Sequence, residues 1–245
     1  MTYIPYFLIG SERTARWRVT CDHASNTVPP SVAGGDLGLP PEDMARHIAY
    51  DLGAWGVSQV LGDLLEAPVA GGNFSRLVID PNRGEDDPTL VMKLYDGTII
   101  PANRHAGAVE VERRLAEFYR PYDQVLGRLM APRDAVQLSI HSFTRQLRGR
   151  PPRPWHIGIL HAGDNPLATA LLQLLRAEGD LTVGENEPYV GHLDGDAIDR
   201  HALALGRPNV LIELRNDLIK DHAGQVAWAT RLAPILTRAL AASGL

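Results

Sequence analysis

Short apolar runs alternate with longer amphipathic segments along most of the chain. Six of these runs have the length of a β-strand and cover residues 16–23, 67–72, 76–83, 135–143, 156–162 and 209–219. Apolar runs of this length, bounded by turn-forming residues, predict buried strands. Because helix-like segments separate them, the order is typical of an α/β domain with a substantially parallel sheet.

Helical periodicity is found in four segments, which cover residues 40–65, 107–130, 167–179 and 224–243. Gly53 and Gly56 predict a break or a close packing contact in the first segment. Pro121 predicts an interruption of the second, because proline lacks the N–H that a helix interior uses. No internal repeat is present, and the length suits one large α/β domain. We therefore predict a single domain over residues 1–245.

The composition excludes several classes of protein. The net charge is −5, so no basic surface points to nucleic acid or to an anionic membrane. No apolar run approaches the ~20 residues that span a bilayer. Cys21 is the single cysteine, which excludes an internal disulfide framework and fits a reducing compartment. With no basic region before the first apolar patch, we expect a cytoplasmic protein; its oligomeric state is left open.

Polar residues interrupt or end four of the strand-like runs. They are Asp22 and His23, then Asp80, Asn82 and Arg83, then His141, and finally Glu213 and Arg215. A charge inside an apolar run is costly unless it is paired or serves a site. In open α/β sheets, the carboxyl ends of the strands form the binding crevice. The four positions together therefore predict one shared site.

Two histidines and a carboxylate around an open position form a usual ligand set for catalytic zinc. His23 and His141 supply the imidazoles, although no HExxH motif is present. Three residues remain open as the third ligand: Asp51 on the first predicted helix, Asn26 and Asp22. We favour Asp51, because a carboxylate binds zinc better than a neutral amide.

Seven segments, in this order, carry a resemblance to a known family: CDHASNTVP, HIAYDLGA, NFSRLVIDPNR, IHSFT, IGILHAGD, VGENEPY and PNVLIELRNDLI. Together they resemble the N-formylglutamate amidohydrolase family over most of the chain. The resemblance implies a three-layer, phosphorylase/hydrolase-like α/β domain with a mixed, mostly parallel central sheet and helices on both faces. It also implies zinc-dependent hydrolysis of a small N-acyl amino acid, typically N-formyl-L-glutamate, to formate and L-glutamate.

The resemblance also implies roles for individual residues. His23 and His141 match the metal-binding histidines. Glu213 stands where related carboxypeptidase-like enzymes place the general base. Asn82 and Arg83 resemble the pair that holds a substrate carboxylate in those enzymes.

Two further arginines, Arg76 and Arg215, are candidates to assist in binding the substrate. Each has an alternative interpretation as a structural ion-pair partner, of Asp80 and of Asp217 respectively. The sequence alone leaves both interpretations open.

One departure from the related enzymes affects the expected function. Asn26 stands where carboxypeptidase-like sites have a metal-binding glutamate, whereas related amidases take a carboxylate from the following helix, which favours Asp51. Two alternatives therefore remain beside the leading hypothesis. One is an amidase of similar chemistry acting on another amide, including cell-wall peptides; the other is a metal-free binding protein.

Overall fold

The computed structural model describes residues 3–245. Its nine strands are β1 (Tyr6–Ile9), β2 (Trp17–Cys21), β3 (Val69–Gly72), β4 (Leu94–Tyr95), β5 (Thr98–Ile99), β6 (Val136–Phe143), β7 (Ile157–Leu160), β8 (Val183–Glu185) and β9 (Asn209–Arg215). Seven of them form one sheet in the order β1-β3-β2-β6-β9-β7-β8, and β4 and β5 form a separate hairpin.

The central strands β3, β2, β6 and β9 are parallel to one another. At the edges, β1 runs antiparallel to β3, and β7 runs antiparallel to β9 with β8 parallel to β7. The predicted α/β fold with a mixed, mostly parallel sheet is confirmed. Because the parallel strands all end at the same side of the sheet, the polar residues that follow them are gathered there.

Helices cover both faces of the sheet. They are α1 (Pro41–Met44), α2 (Ala54–Leu64), α3 (Ala108–Arg114), α4 (Arg120–Leu129), α5 (Pro166–Ala177), α6 (Ala197–His201) and α7 (His222–Ala242). Buried residues of α2, α5 and α7 form one core with one face of the sheet. A second core lies on the other face, where residues 32–100 pack with the α3–α4 region. Among residues 3–245, the helices lack the combination of length and hydrophobicity that a membrane span requires.

Each of the first two predicted helical segments contains two helices in the structure. The predicted helix over residues 40–65 is two helices, because Gly53 adopts a left-handed φ of 78° immediately before α2. A Cβ at Gly53 would lie 2.0 Å from the backbone oxygen of Ile219, so the position also requires close packing. In the segment over residues 107–130, a π-helical turn, Leu115–Tyr119, joins α3 to α4 just before Pro121.

The strand predicted over residues 76–83 is wrong. These residues form turns, although Leu77, Val78 and Ile79 are fully buried. Their apolar side chains belong to the second core, which explains the misleading pattern. Pro81 cannot donate a ladder hydrogen bond, and side chains rather than a neighbouring strand bind the carbonyls of Leu77 and Val78.

Candidate active site

Side chains of the central strands point alternately to the two faces of the sheet, and this alternation brings two predicted site residues together. On β6, Val136, Leu138 and Ile140 enter the first core, so His141 points to the opposite face. Glu213 on β9 is the register partner of His141 and has the same orientation. The chemistry-bearing residues therefore share one face near the carboxyl ends of parallel strands.

His23, Asp51 and His141 converge at this end of the sheet. Nδ1 of His23 lies 3.2 Å from Oδ2 of Asp51, and Nδ1 of His141 lies 2.9 Å from the same oxygen. One potential ligand atom from each of the three residues lies within 4.8 Å of the others, and all three residues are buried. The structure thus brings together the three residues expected to bind a metal ion.

Asp51 is not on a helix as expected but in the loop before α2. Its backbone N–H donates to the carbonyl of His23 at 3.0 Å, which fixes the loop beside the end of β2. Asn26 is exposed, and its amide donates to the carbonyl of Met44 at 2.9 Å. Of the candidates for the third ligand, Asp51 therefore lies between the two histidines, and Asn26 does not line the cavity described below.

A second buried carboxylate contacts the other nitrogen of each imidazole. Nε2 of His23 lies 2.7 Å from Oδ1 of Asp80, and Nε2 of His141 lies 3.1 Å from Oγ of Ser139 and 3.3 Å from Oδ2 of Asp22. In metal sites such carboxylates fix the orientation and tautomer of the ligating ring. Both rings are held so that Nδ1 faces Asp51.

The charges of this cluster shift several pKa values. Burial alone would raise the pKa of Asp51, but His23 and His141 outweigh burial and lower it. Burial would likewise raise the pKa of Asp80, but Arg76 and His23 hold it well below the usual range. Burial opposes the charged form of His141, yet the neighbouring carboxylates raise its pKa well above the usual value. Asp51 and Asp80 are therefore held as carboxylates.

Glu213 differs from the other carboxylates of the site. It is 6% exposed, and its Oε2 has no hydrogen-bond partner among residues 3–245. Burial raises its pKa to about 7, with His141 lowering and Asp51 raising it. A carboxyl group with a near-neutral pKa suits proton transfer at neutral pH.

The three converging residues and Glu213 line a cavity of about 390 Å³ that also contains Asn82 and Arg83. The guanidinium of Arg83 donates to Thr89 and to the carbonyl of Asn82, but it pairs with no carboxylate among residues 3–245. Arg83 can therefore receive an anionic group of a ligand.

Arg76 and Arg215 are engaged in ion pairs. Arg76 lines the cavity, but its Nε and Nη2 donate to Oδ2 of Asp80 at 3.1 and 2.7 Å. Arg215 donates to Asp217 at 2.7 Å and does not line the cavity. Arg76 and Arg215 thus pair with Asp80 and Asp217, respectively. This structural role is the alternative to a role in substrate binding.

Several lining residues were not singled out from the sequence. They include His47 and Tyr95 on one side, and Leu160, Ile198 and Leu211 on the other. His47 precedes Asp51 by four residues in a segment of helical pattern, so its spacing is a weak signal. Nothing in the sequence marks Tyr95, which belongs to the short hairpin β4–β5.

Known proteins resemble the chain in sequence and in fold. The model of the N-formylglutamate amidohydrolase family matches residues 16–220. The crystal structure of the gene product Atu2144 from Agrobacterium tumefaciens is 34% identical, with a TM-score of 0.90 over 98% of this chain and 96% of that chain. A comparison with curated proteins gave no match.

Two more distant solved structures share the fold. N-formylglutamate amidohydrolase from Ralstonia eutropha JMP134 is 21% identical, with a TM-score of 0.72 over 98% of each chain. A bacteriophage poly-gamma-glutamate hydrolase is 12% identical, with a TM-score of 0.50 over 98% of this chain and 90% of that chain. Since the family model covers most of the sequence, the chain belongs to the N-formylglutamate amidohydrolase family.

Proposed function

We propose that this member of the family is a zinc-dependent amidohydrolase that cleaves the amide of a small N-acyl amino acid. N-formyl-L-glutamate, giving formate and L-glutamate, is the reaction that the family name indicates. The observation that carries the proposal is the convergence of His23, Asp51 and His141 in a cavity that also contains Glu213.

The residues present fit a zinc ion. Two imidazoles and one carboxylate form a usual ligand set that leaves a position open for substrate or water. Asp80 and Asp22 contact the two remaining ring nitrogens, as carboxylates do behind ligating histidines. A bound zinc ion supplies a Lewis acid and lowers the pKa of a coordinated water from about 15.7 to about 7.

Glu213 has the properties of the proton carrier. Its unpartnered, buried oxygen is free to accept a proton from the attacking water. As the water oxygen bonds to the carbonyl carbon, Glu213 takes the proton, and it returns the proton to the amide nitrogen as the C–N bond breaks. The products are a carboxylic acid and an amine.

Arg83 positions the substrate in this proposal. Its planar guanidinium suits two-point contact with a carboxylate, and no carboxylate of the described residues occupies it. Asn82 adds a side chain whose oxygen accepts from the N–H of Ala197 at 3.2 Å, which fixes the amide beside the cavity.

The Glu213→Gln variant tests the proposal. Because glutamine keeps the size of the side chain but cannot carry the proton, we expect zinc content to stay unchanged. Formate release from N-formyl-L-glutamate should fall about 10²–10⁴-fold. Glu185→Gln is the matched control, because Glu185 is exposed and lies outside the cavity. Undiminished turnover by Glu213→Gln contradicts the assigned role.

Asn26 left open the alternative hypothesis that the chain is a metal-free binding protein. That residue lies outside the cavity, whereas the carboxylate of Asp51 lies between the two histidines. The described geometry therefore offers no observation that favours the metal-free alternative.

A further inference from the structure

One side of the cavity is apolar. Leu211 on β9 and Leu160 on β7 are register partners, and Ile198 on α6 packs with them. The three side chains form a small cluster separate from the two main cores, and all three line the cavity. Leu203 packs behind this cluster without lining the cavity. We call Leu160, Ile198 and Leu211 the apolar wall.

The apolar wall begins beside the proposed base. Leu211 precedes Glu213 by two residues on β9, so both side chains point to the same face. The sheet order β2-β6-β9-β7 places Leu160, on β7, on the side of β9 that is away from β2 and His23. A substrate whose amide lies between the proposed metal ligands and Glu213 can therefore extend one substituent along the wall.

A loop adds further apolar surface to the same cavity. Tyr189, Val190 and Leu193 line it and remain 38, 63 and 38% exposed. Large apolar side chains that are exposed together around a cavity typically mark a surface that a ligand covers. The wall and the loop thus both offer contacts to an apolar group.

N-formyl-L-glutamate makes little use of these contacts, because it carries two carboxylates and only a hydrogen on its acyl carbon. Arg83 is the one cavity-lining arginine of residues 3–245 without a carboxylate partner, since Arg76 is bonded to Asp80. One carboxylate of the substrate therefore has an arginine partner, and the second is left without one. Placing a carboxylate against leucine and isoleucine side chains is unfavourable.

We infer that the preferred substrate is an N-acyl amino acid with a single carboxylate and an apolar group of several carbons that lies along the apolar wall. This inference rests on the proposed amide hydrolysis and names the substrate class of that same site. The apolar group is either the side chain of the amino acid or the acyl group, and two substrate series separate these sources.

The test measures kcat/KM of the zinc-loaded protein in both series. The first varies the side chain of N-formyl amino acids from alanine through norvaline to norleucine, with glutamate for comparison. The second varies the acyl group of N-acyl-alanines from formyl through acetyl and butanoyl to hexanoyl. We expect kcat/KM to rise about three- to fourfold per methylene in one series. The best apolar substrate should exceed N-formyl-L-glutamate.

Failure of this inference differs from failure of the proposed function. If N-formyl-L-glutamate is the best substrate and neither series rises with chain length, the inference is wrong and amide hydrolysis stands. If no member of either series and no N-formyl-L-glutamate is cleaved, the proposed function itself is wrong.

Ile198→Thr and Leu203→Thr form a matched pair, one in the wall and one behind it. The measured quantity is kcat/KM for the best apolar substrate divided by kcat/KM for N-formyl-L-glutamate. We expect Ile198→Thr to lower this ratio at least threefold. We expect Leu203→Thr to leave it unchanged. Equal effects of both variants overturn the inference. Val190→Thr, at an exposed loop position, tests the same ratio if Ile198→Thr does not fold.

Discussion

At the scale of single residues, the proposed metal site includes buried carboxylates that contact its histidines rather than the substrate. Asp22 is fully buried between two partners: its Oδ1 accepts from the hydroxyl of Tyr122 at 2.8 Å, and its Oδ2 lies 3.3 Å from Nε2 of His141. Replacing Asp22 by asparagine removes the negative charge beside the imidazole of His141 but keeps the size of the side chain. We therefore propose that Asp22 is a positioning residue for His141.

The Asp22→Asn variant tests this role. Because the neutral amide supports His141 less well, we expect zinc affinity to fall about 10- to 100-fold. A competitive zinc titration measures the change, with Asp63→Asn as the control at an exposed carboxylate outside the cavity. Equal zinc affinity of Asp22→Asn and the unchanged protein contradicts the positioning role.

At the scale of elements, segment 76–83 shows where sequence patterns fail and why. The segment carries Asp80, Asn82 and Arg83, and it is held by polar side chains rather than by strand pairing. Asn103 donates to the carbonyl of Leu77 at 2.8 Å. Arg114, fully buried, donates to the carbonyl of Val78 at 2.7 Å. These contacts join distant parts of the chain, so no local pattern could predict them.

Arg114 in turn requires a counter-charge, which Glu110 provides at 2.7 Å from Nε. A hydrogen bond from Arg113 opposes the effect of burial, and with Arg114 it lowers the pKa of Glu110 to about 2. A carboxylate whose pKa is lower in the folded state stabilises the fold above its unfolded pKa, and this contribution is lost as the pH falls.

The Glu110→Gln variant tests this ion pair through its pH dependence. We expect the variant to have a lower free energy of unfolding than the unchanged protein at pH 6. The difference should shrink as the pH falls from the ordinary value of 4.5 toward about 2. Urea denaturation across this range measures it. A difference that is constant with pH contradicts the assigned charge.

At the scale of the whole molecule, the sequence predicts the central layers better than the edges. Strands β2, β6, β7 and β9 are apolar runs because they are buried, and each was predicted. The short edge strands β1 and β8 were not, because they bury fewer side chains. The polar residues at the strand ends were recognisable, but the register that pairs His141 with Glu213 depends on contacts between distant strands.

A loop next to the cavity carries several arginines. The net charge is −5, yet Arg145, Arg148 and Arg150 lie in one loop and form no ion pair with the described residues. Arg148 lines a groove that shares His47 and Thr144 with the cavity. A positive surface next to a binding site increases the association rate of anionic ligands, and salt screens this effect.

The Arg148→Gln variant tests this steering. We expect kcat/KM for an anionic substrate to fall several-fold at low ionic strength, with kcat unchanged and the difference lost at high salt. Arg133→Gln is the control, because Arg133 is exposed just before β6 begins, at the opposite end of that strand from His141. A salt-independent loss by Arg148→Gln, or an equal loss by the control, contradicts steering.

The central claim, that His23, Asp51 and His141 bind one metal ion, is tested most directly by the metal content of the purified protein. After dialysis against micromolar zinc and then buffer, we expect about one zinc ion per chain. We expect the same zinc content for the control variant His161→Ala, because His161 lies outside the cavity. We expect almost no zinc in Asp51→Asn or His141→Ala. Zinc absent from the unchanged protein, or equally retained by His141→Ala, would contradict the account.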